Sequence, residues 1–522
     1  MPDEQSAIQR IARGAIQTFG SAYAARLLTL AVRLLLLQIL VPKDFGAVGT
    51  AFSLLAMAVA ARDFGLHYAL LHQHDRVHSL APTHFILSIS LGSISTALAL
   101  LMAVYYDQAI ALTQTLTVYL GGTATESYPK VALALAIFGI LDFFRTAALT
   151  AEVQLQRDLE FGRLALAHAG GTILAALVGL TLAYLGFGKW ALILGFYPYS
   201  VAYVVVFCAV VWSKHPPPLK HLHQFNADAA RQMIRYGFQF WLGGVPKIFV
   251  QHYDKLIISF FIGLNWRGLY DTAQDFAQIP TGAITLAIVR ITGAVYARYQ
   301  NDREQLSAAY RRALRLILRA TVPLSLLLAL EADRWVLIFR GEWMAAAPLL
   351  QSLIIYSLCR PILDDLHALF YSVGSPLSIA RFAVIQALIL LILAPLLALD
   401  IGGYGLGLGI YGIALSMNVM AFVGLILALT FARQFVDIPI TKTFAPPLIA
   451  GLIGVALHQG IAPYLLTLSP LIHFILGSLL FSTGYIFGLF LIERKTIMLE
   501  IQNILQAVKP TPRPLNGGEK QN

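Results

Sequence analysis

Residues 249–280 read FVQHYDKLIISFFIGLNWRGLYDTAQDFAQIP. Two apolar runs meet there at a short turn containing Gly263 and Asn265, and Asp254, Lys255, Asp271 and Asp275 lie within the runs. A charge held in hydrocarbon costs at least ~2.5 kcal/mol, so ionisable residues inside membrane-length apolar runs normally face a wet interior. The stretch is predicted to be two membrane-crossing helices that border a polar path.

Outward from it the same combination recurs. Arg26 and Arg33 lie in the first apolar run, Arg62 and Asp63 in the second, and Asp142 and Arg145 in the fourth. Lys247, Asp254 and Lys255 fall in the seventh, Asp271, Asp275 and Arg290 in the eighth, and Arg360, Asp364 and Asp365 in the tenth. The fifth, eleventh, thirteenth and fourteenth runs carry almost no charge through their middles. The pattern predicts two similar halves enclosing a polar cavity.

The chain has 522 residues, of which 58% are hydrophobic and 12% charged. So few polar groups cannot cover a soluble protein of this size. Apolar runs of about 20 residues recur from end to end, the length of a membrane-crossing helix. The fold class expected is an all-α polytopic membrane protein with about 14 transmembrane helices. Residues 1–213 read as an N-terminal six-helix lobe and 236–433 as a C-terminal one. Between them KHPPPLKHLHQFNADAARQMIR (214–235) reads as a cytoplasmic linker, because three prolines cannot continue a helix. Residues 434–495 hold two extra spans, and 496–522 a cytoplasmic tail with a disordered end. An offset of 222 residues places Arg33 on Lys255, Gly46 on Gly268 and Asp142 on Asp364, as a parallel internal repeat would.

The net charge of +10 is explained by position rather than by nucleic acid. Most basic residues fall on one side of the predicted spans, and the opposite side receives only Lys43, Lys130, Lys189, Arg267, Arg334 and Arg340. That bias predicts cytoplasmic N- and C-termini. The first apolar run is too long for a cleaved signal peptide. Cys208 and Cys359 lack metal-ligand spacing and read as packing residues, and His72, His74 and His78 have too few partners for a metal site. No metal and no cofactor is expected. No phosphate-binding glycine loop occurs, so ATP is not the direct energy source.

Four stretches, in order, carry a resemblance: LVPKDFGAVGTAFSLLAMAVAARDFGLHYALLHQ (40–73), LTAEVQLQRDLEFGRLA (149–165), residues 249–280, and LIFRGEWMAAAPLLQSL (337–353). The chain resembles the polysaccharide-transporter branch of the MOP flippase superfamily, the Wzx-type lipid-linked oligosaccharide flippases, up to about Glu493. The resemblance implies two six-helix bundles in a V around a central cavity. It also implies movement of undecaprenyl-pyrophosphate-linked repeat units to the outer leaflet, for lipopolysaccharide or exopolysaccharide. Implied partners are the lipid-linked glycan, membrane lipids and polysaccharide polymerase machinery, with the protein itself a monomer.

A diphosphate head group needs fixed cations. Arg26 and Arg33 share a helical face, as do Lys247 and Asp254. Arg26, Arg33, Lys247 and Lys255 form the expected anion site, with Arg145 and Arg360 behind them. Arg33 and Lys255 serve equally well as partners in intramembrane salt bridges. Asp271 and Asp275 share a face of the eighth run. They read as an outer gate bridged to Lys255 or Arg33, as a proton or sodium site with Asp254, or as permanent packing pairs. Arg62 and Asp63 suit an inner gate or an interfacial cap. Asp142 with Arg145, and Arg360 with Asp364, are spaced to pair with each other. Gly243, Gly244, Pro246 and Pro280 are the expected hinges, bending the seventh helix beside Lys247. Tyr236, Phe240, Trp241, Tyr253, Tyr270 and Tyr371 suit sugar stacking or core packing. Two competing classes are a cation-coupled MATE-type exporter and an integral-membrane glycosyltransferase or polymerase. The first calls for an acidic cavity, and the second for an external domain that the Tyr106–Lys130 loop is too short to form.

Overall fold

The computed structural model describes residues 24–62, 64–71, 77–120, 128–279, 282, 288, 290–337, 341–400, 404–465 and 469–508. Among these residues every regular element is a helix. Ten helices are long and apolar enough to cross a membrane, or eleven when the bent pair Gly341–Ser352 and Ile354–Ser372 counts as one span. The fourteen expected spans exceed this for physical reasons. Ala227–Ile257 is too polar along its length, Leu264–Ala277 is short, and the first span is described only over 24–39. Large apolar side chains such as Leu177, Ile392, Leu452 and Phe487 face outward, as lipid contact requires.

Helix starts follow capping chemistry. Asn226 Oδ1 accepts from Ala229 N at 2.9 Å, so the seventh helix begins at Ala227 and the linker is shorter than 214–235. Asp302 Oδ1 accepts from Glu304 N and Gln305 N, opening Arg303–Leu330. Pro129 and Pro376 occupy first-turn positions, where a missing N–H leaves no bond unmade. The loop expected from Tyr106 is instead helical over Tyr106–Leu120.

In the N-terminal half Val77–Val104 packs on Pro129–Ala147, both pack on Pro42–Arg62, and Phe161–Tyr184 pairs with Val201–Lys214. In the C-terminal half Pro376–Ala398 packs on Gly409–Ala432 and on Ala227–Ile257, while Arg303–Leu330 packs on Ile354–Ser372. The last two helices, Ile440–Ile461 and Pro470–Val508, form a hairpin on Arg303–Leu330. Two pairs tie it there, the part-buried Arg319 Nη2 to Glu493 Oε2 and the buried His458 Nε2 to Glu331 Oε1, both at 2.6 Å.

The halves meet along Pro42–Arg62. At the end remote from the 214–226 linker this helix packs against Leu264–Ala277, and at the linker end against Ala227–Ile257. The remote contact has almost no thickness: Gly46 lies against the Leu264 carbonyl and Gly268 against the Pro42 carbonyl. At the linker end Gly237 abuts the Phe64 carbonyl. There Phe64 and Trp241 stack with centroids 5.5 Å apart, and Trp241 Nε1 donates to Ala60 O at 2.9 Å. Trp241, a candidate for sugar stacking, is therefore part of a helix contact.

Candidate functional site

Between these two closures lies a cavity of about 440 Å³. Thr29, Val32 and Arg33 reach it from helix 24–39, and Gly49, Phe52 and Ser53 from Pro42–Arg62. His252 and Lys255 come from Ala227–Ile257, and Arg267, Asp271 and Asp275 from Leu264–Ala277. The remaining wall includes Thr172, Tyr197 and Tyr203.

Among the described residues five charged side chains line this space, three cations and two carboxylates. Arg33 Nη1 is ion-paired with Asp275 Oδ2, and its Nη2 donates to Thr272 Oγ1 at 3.4 Å. Its guanidinium also lies over the Phe45 ring, 5.6 Å from the centroid. Arg267 is 2% exposed. Its Nε donates to Asp271 Oδ2 at 2.8 Å, and its Nη2 to Gly49 O at 3.1 Å and Ser53 Oγ at 2.9 Å. Lys255 Nζ stands 3.9 Å from Asp271 Oδ1. Arg33 therefore reaches from the first half into the second, and Arg267 from the second into the first. Two guanidinium groups retain a donor without a hydrogen-bond acceptor, Arg33 Nε and Arg267 Nη1. An unpaired buried donor is costly, so an incoming acceptor is favoured there.

The structure separates the four cations expected to share one anion site. Arg33 and Lys255 line the cavity, whereas Arg26 and Lys247 do not. Arg26 lies against Gly282, and Lys247 is exposed, within electrostatic reach of His367. Arg360 also stands outside the lining, with its Nε 3.5 Å from Asp364 Oδ1, the pairing that the spacing predicts. Asp142 and Arg145 do not pair with each other. Asp142, fully buried, accepts from Arg62 Nη2 at 2.6 Å and Ser95 Oγ at 2.8 Å. Arg145 Nη2 meets Glu152 Oε2 at 2.8 Å, and its guanidinium lies 3.9 Å from the Phe207 ring centroid. Arg62 crosses to another helix to reach Asp142, whereas Arg145 reaches seven residues on, past the break at Ala148, to Glu152.

Asp254 is fully buried and receives Tyr270 Oη at 2.8 Å and Gln274 Nε2 at 3.4 Å. Asp365 is similarly enclosed by Thr292 Oγ1 at 2.8 Å and Tyr296 Oη at 3.0 Å. Neither lines the cavity. Ala227–Ile257 is one helix through Gly243, Gly244 and Pro246. Asp63 and Pro280 lie outside the described residues, as does the Arg290 side chain.

Arg267 is the site residue that sequence reasoning missed, because it directly follows the turn and was assigned to the outer side. A signal existed. Arg267, Asp271 and Asp275 recur every four residues and so share one helical face.

The family model described as polysaccharide biosynthesis protein matches residues 35–348. The succinoglycan biosynthesis transport protein ExoT of Rhizobium meliloti (strain 1021) is 24% identical over 318 residues, 60% of each chain. The lipopolysaccharide biosynthesis protein WzxC of Escherichia coli (strain K12) is 20% identical over 331 residues, 62% of each chain. The chain thus spans about three-fifths of the length of these relatives. Among solved structures, the lipid II flippase MurJ in an inward closed conformation superposes with a TM-score of 0.70 at 16% identity. That match covers 92% of this chain and 100% of the other. An inward-facing multidrug resistance MATE family transporter of the MOP superfamily gives 0.59 at 16% identity, covering 82% and 97%. Both likenesses are of fold.

Proposed function

Because this chain belongs to the polysaccharide biosynthesis protein family, we propose that it flips a lipid-linked oligosaccharide across a membrane by alternating access. The observation that carries the reading is the crossed pair of arginines. Arg33 and Arg267 each leave their own half to bind acceptors in the other, so they hold the remote end shut while the cavity is empty.

A diphosphate head group entering from the linker end would compete for those same donors. Arginine's planar fork binds phosphate oxygens in pairs, and Arg33 Nε and Arg267 Nη1 are the donors in want of an acceptor. Transfer of Arg33 from Asp275 to phosphate loosens one tie between the halves, and transfer of Arg267 from Gly49 O and Ser53 loosens the other. Binding then favours the remotely open state because the head group interacts differently with the two states. The prenyl tail stays in lipid throughout. Asp271 and Asp275 recapture the cations after release and keep the empty cavity near neutral.

Several finer features belong to this reading. The linker end and both termini are cytoplasmic, on the strength of the arginine and lysine bias. The halves 1–213 and 236–433 rock against each other, with Gly243, Gly244 and Pro246 absorbing the bend. The protein works as a monomer in the bacterial inner membrane, handing its product to polymerase machinery. Arg26, Lys247, Arg145 and Arg360 fall to supporting positions.

The test is surface polysaccharide in cells that depend on this chain. Arg33→Ala and Arg267→Ala should each lower it at least tenfold, about 1.4 kcal/mol per decade, at unchanged membrane abundance. Arg33→Lys should retain part of the activity. Full polysaccharide from both alanine variants would end the proposal. A second reading, export of small cationic molecules, draws on the two cavity carboxylates Asp271 and Asp275. It requires dye efflux that is lost on Asp271→Asn and unaffected by loss of the glycan.

A further inference from the structure

We propose that Lys43, Lys130 and Lys189 form a second anion site, at the remote end of the N-terminal half, for a phosphate-bearing head group. It lies outside the cavity lining and does not depend on the flipping mechanism.

Three ammonium groups converge on one ring. The Nζ atoms of Lys189, Lys43 and Lys130 stand 5.1, 5.3 and 5.8 Å from the Tyr128 ring centroid. Lys189 is buried, and its Nζ donates to Tyr128 Oη at 3.2 Å. The Lys130 and Lys189 amines lie within electrostatic reach of each other, and Asp44 is within reach of both.

The lysines arrive from three separate segments. Lys43 is in the first turn of Pro42–Arg62, Lys130 in the first turn of Pro129–Ala147, and Lys189 follows a turn held by Gly186 and Gly188 at positive φ. Two of the three thus sit at helix N-termini, where the helix dipole already disfavours a cation. Like charges are gathered where both their neighbours and the backbone repel them. Asp44 answers one of these charges, and the face of the shared tyrosine offsets part of the others. An anion seated among the amines relieves the rest, and the exposed Lys130 leaves it a way in.

The chemistry favours phosphate. Ammonium groups are compact point charges on flexible stems, and three approaching from different directions match the several oxygens and multiple charge of a phosphate or diphosphate. The position matches too. The cluster lies at the ends of membrane-spanning helices, the depth of lipid head groups. It also adjoins the remote closure, since Lys43 follows Pro42, whose carbonyl lies against Gly268. An occupant would therefore brace the turn that seals the cavity.

The source of the phosphate is separated by three arms on the full-length protein. The first is retention of lipid by native mass spectrometry after reconstitution in phosphatidylcholine vesicles with and without phosphatidylglycerol. The second is inorganic pyrophosphate and the third inorganic phosphate, and all three arms are read by acetylation of Lys130 under limiting reagent. Wild-type protein should show Lys130 acetylated about fivefold more slowly with a bound phosphate species, and Lys130→Gln/Lys189→Gln should retain about tenfold less phosphatidylglycerol. Protection by phosphatidylglycerol alone identifies a phospholipid head group; protection by pyrophosphate or phosphate identifies a soluble or substrate-borne source. The labelling needs no variant, so a double variant that fails to fold leaves the test intact. Unchanged Lys130 labelling with all three probes would overturn the site.

Discussion

Gly46 and Gly268 are in contact across the two halves, and each occupies the other's position under the 222-residue offset. A methyl group on Gly46 would strike the Leu264 carbonyl and stand 3.0 Å from Gly268 N, while one on Gly268 would strike the Pro42 carbonyl. Leu264 is in turn Pro42 displaced by the same offset. The remote closure is therefore self-complementary, as a contact across a two-fold axis must be. Its partners are backbone atoms, which cannot rotate aside as a side chain would.

Replacing either glycine should hold the remote end open. Overpacking costs about 1–3 kcal/mol, which shifts a two-state balance roughly 5- to 150-fold. Gly46→Ala or Gly268→Ala, each combined with Thr29→Cys in the cavity wall, should raise labelling by an impermeant maleimide applied from that side. Labelling equal to that of Thr29→Cys alone would mean that this contact does not close the cavity.

The opposite end calls for the opposite outcome. Phe64 stacks on Trp241, and Trp241 Nε1 holds Ala60 O, in a contact between Pro42–Arg62 and Ala227–Ile257. Trp241→Ala removes the stack and the hydrogen bond, together about 1–3 kcal/mol. Thiol labelling of Thr29→Cys should then rise in inverted vesicles and not in intact cells. Trp241→Phe, which keeps a ring, should give a smaller rise.

Much of this arrangement was legible in the sequence, and the misses have identifiable causes. Membrane-length apolar runs interrupted by charge announced a polytopic bundle with a polar interior, and the 222-residue offset made Gly46 and Gly268 equivalent positions without saying that they touch. Asp271 and Asp275 lie beside Lys255 and Arg33 as their positions predict. Partner choice between nonadjacent helices was not legible. Helical spacing reports the face of one helix only, so it offered Asp142 to Arg145 while the fold offered Arg62. It also could not say that Arg26 and Lys247 stand away from the cavity, because that depends on which helices pack beside them. Arg267 was hidden for a simpler reason: a charge next to a turn reads as exposed until the turn itself is found buried.

Arg62 and Asp142 should behave as a structural pair. Asp142 is fully buried and Arg62 nearly so, within one half of the chain and away from the cavity lining. Arg62→Ala leaves an uncompensated carboxylate, a loss of about 3–5 kcal/mol. Lower thermal stability and lower membrane abundance should follow, with polysaccharide falling in proportion to abundance. Arg62→Met/Asp142→Leu should recover much of the stability, because a well-packed apolar pair replaces a buried ion pair at little cost. Activity lost at normal abundance would instead assign Arg62 a part in transport.

The cavity pairs differ from that one in a measurable way, because they join halves that must separate. Arg33 and Asp275 bridge first half to second, and Asp275 is the more exposed partner. Asp275→Asn removes the tie and leaves Arg33 free to bind phosphate, so the remote end should open more readily while affinity for the head group is kept or raised. Arg33→Gln removes tie and ligand together, so the end should open equally while transport fails. Expressed as a double-mutant cycle on maleimide labelling, the two substitutions should be strongly non-additive, since each removes the same contact. On surface polysaccharide they should diverge, with Arg33→Gln severe and Asp275→Asn mild. Equal loss of polysaccharide from both would make the ion pair itself the working unit, and Arg33 would then be a latch with no hold on the cargo.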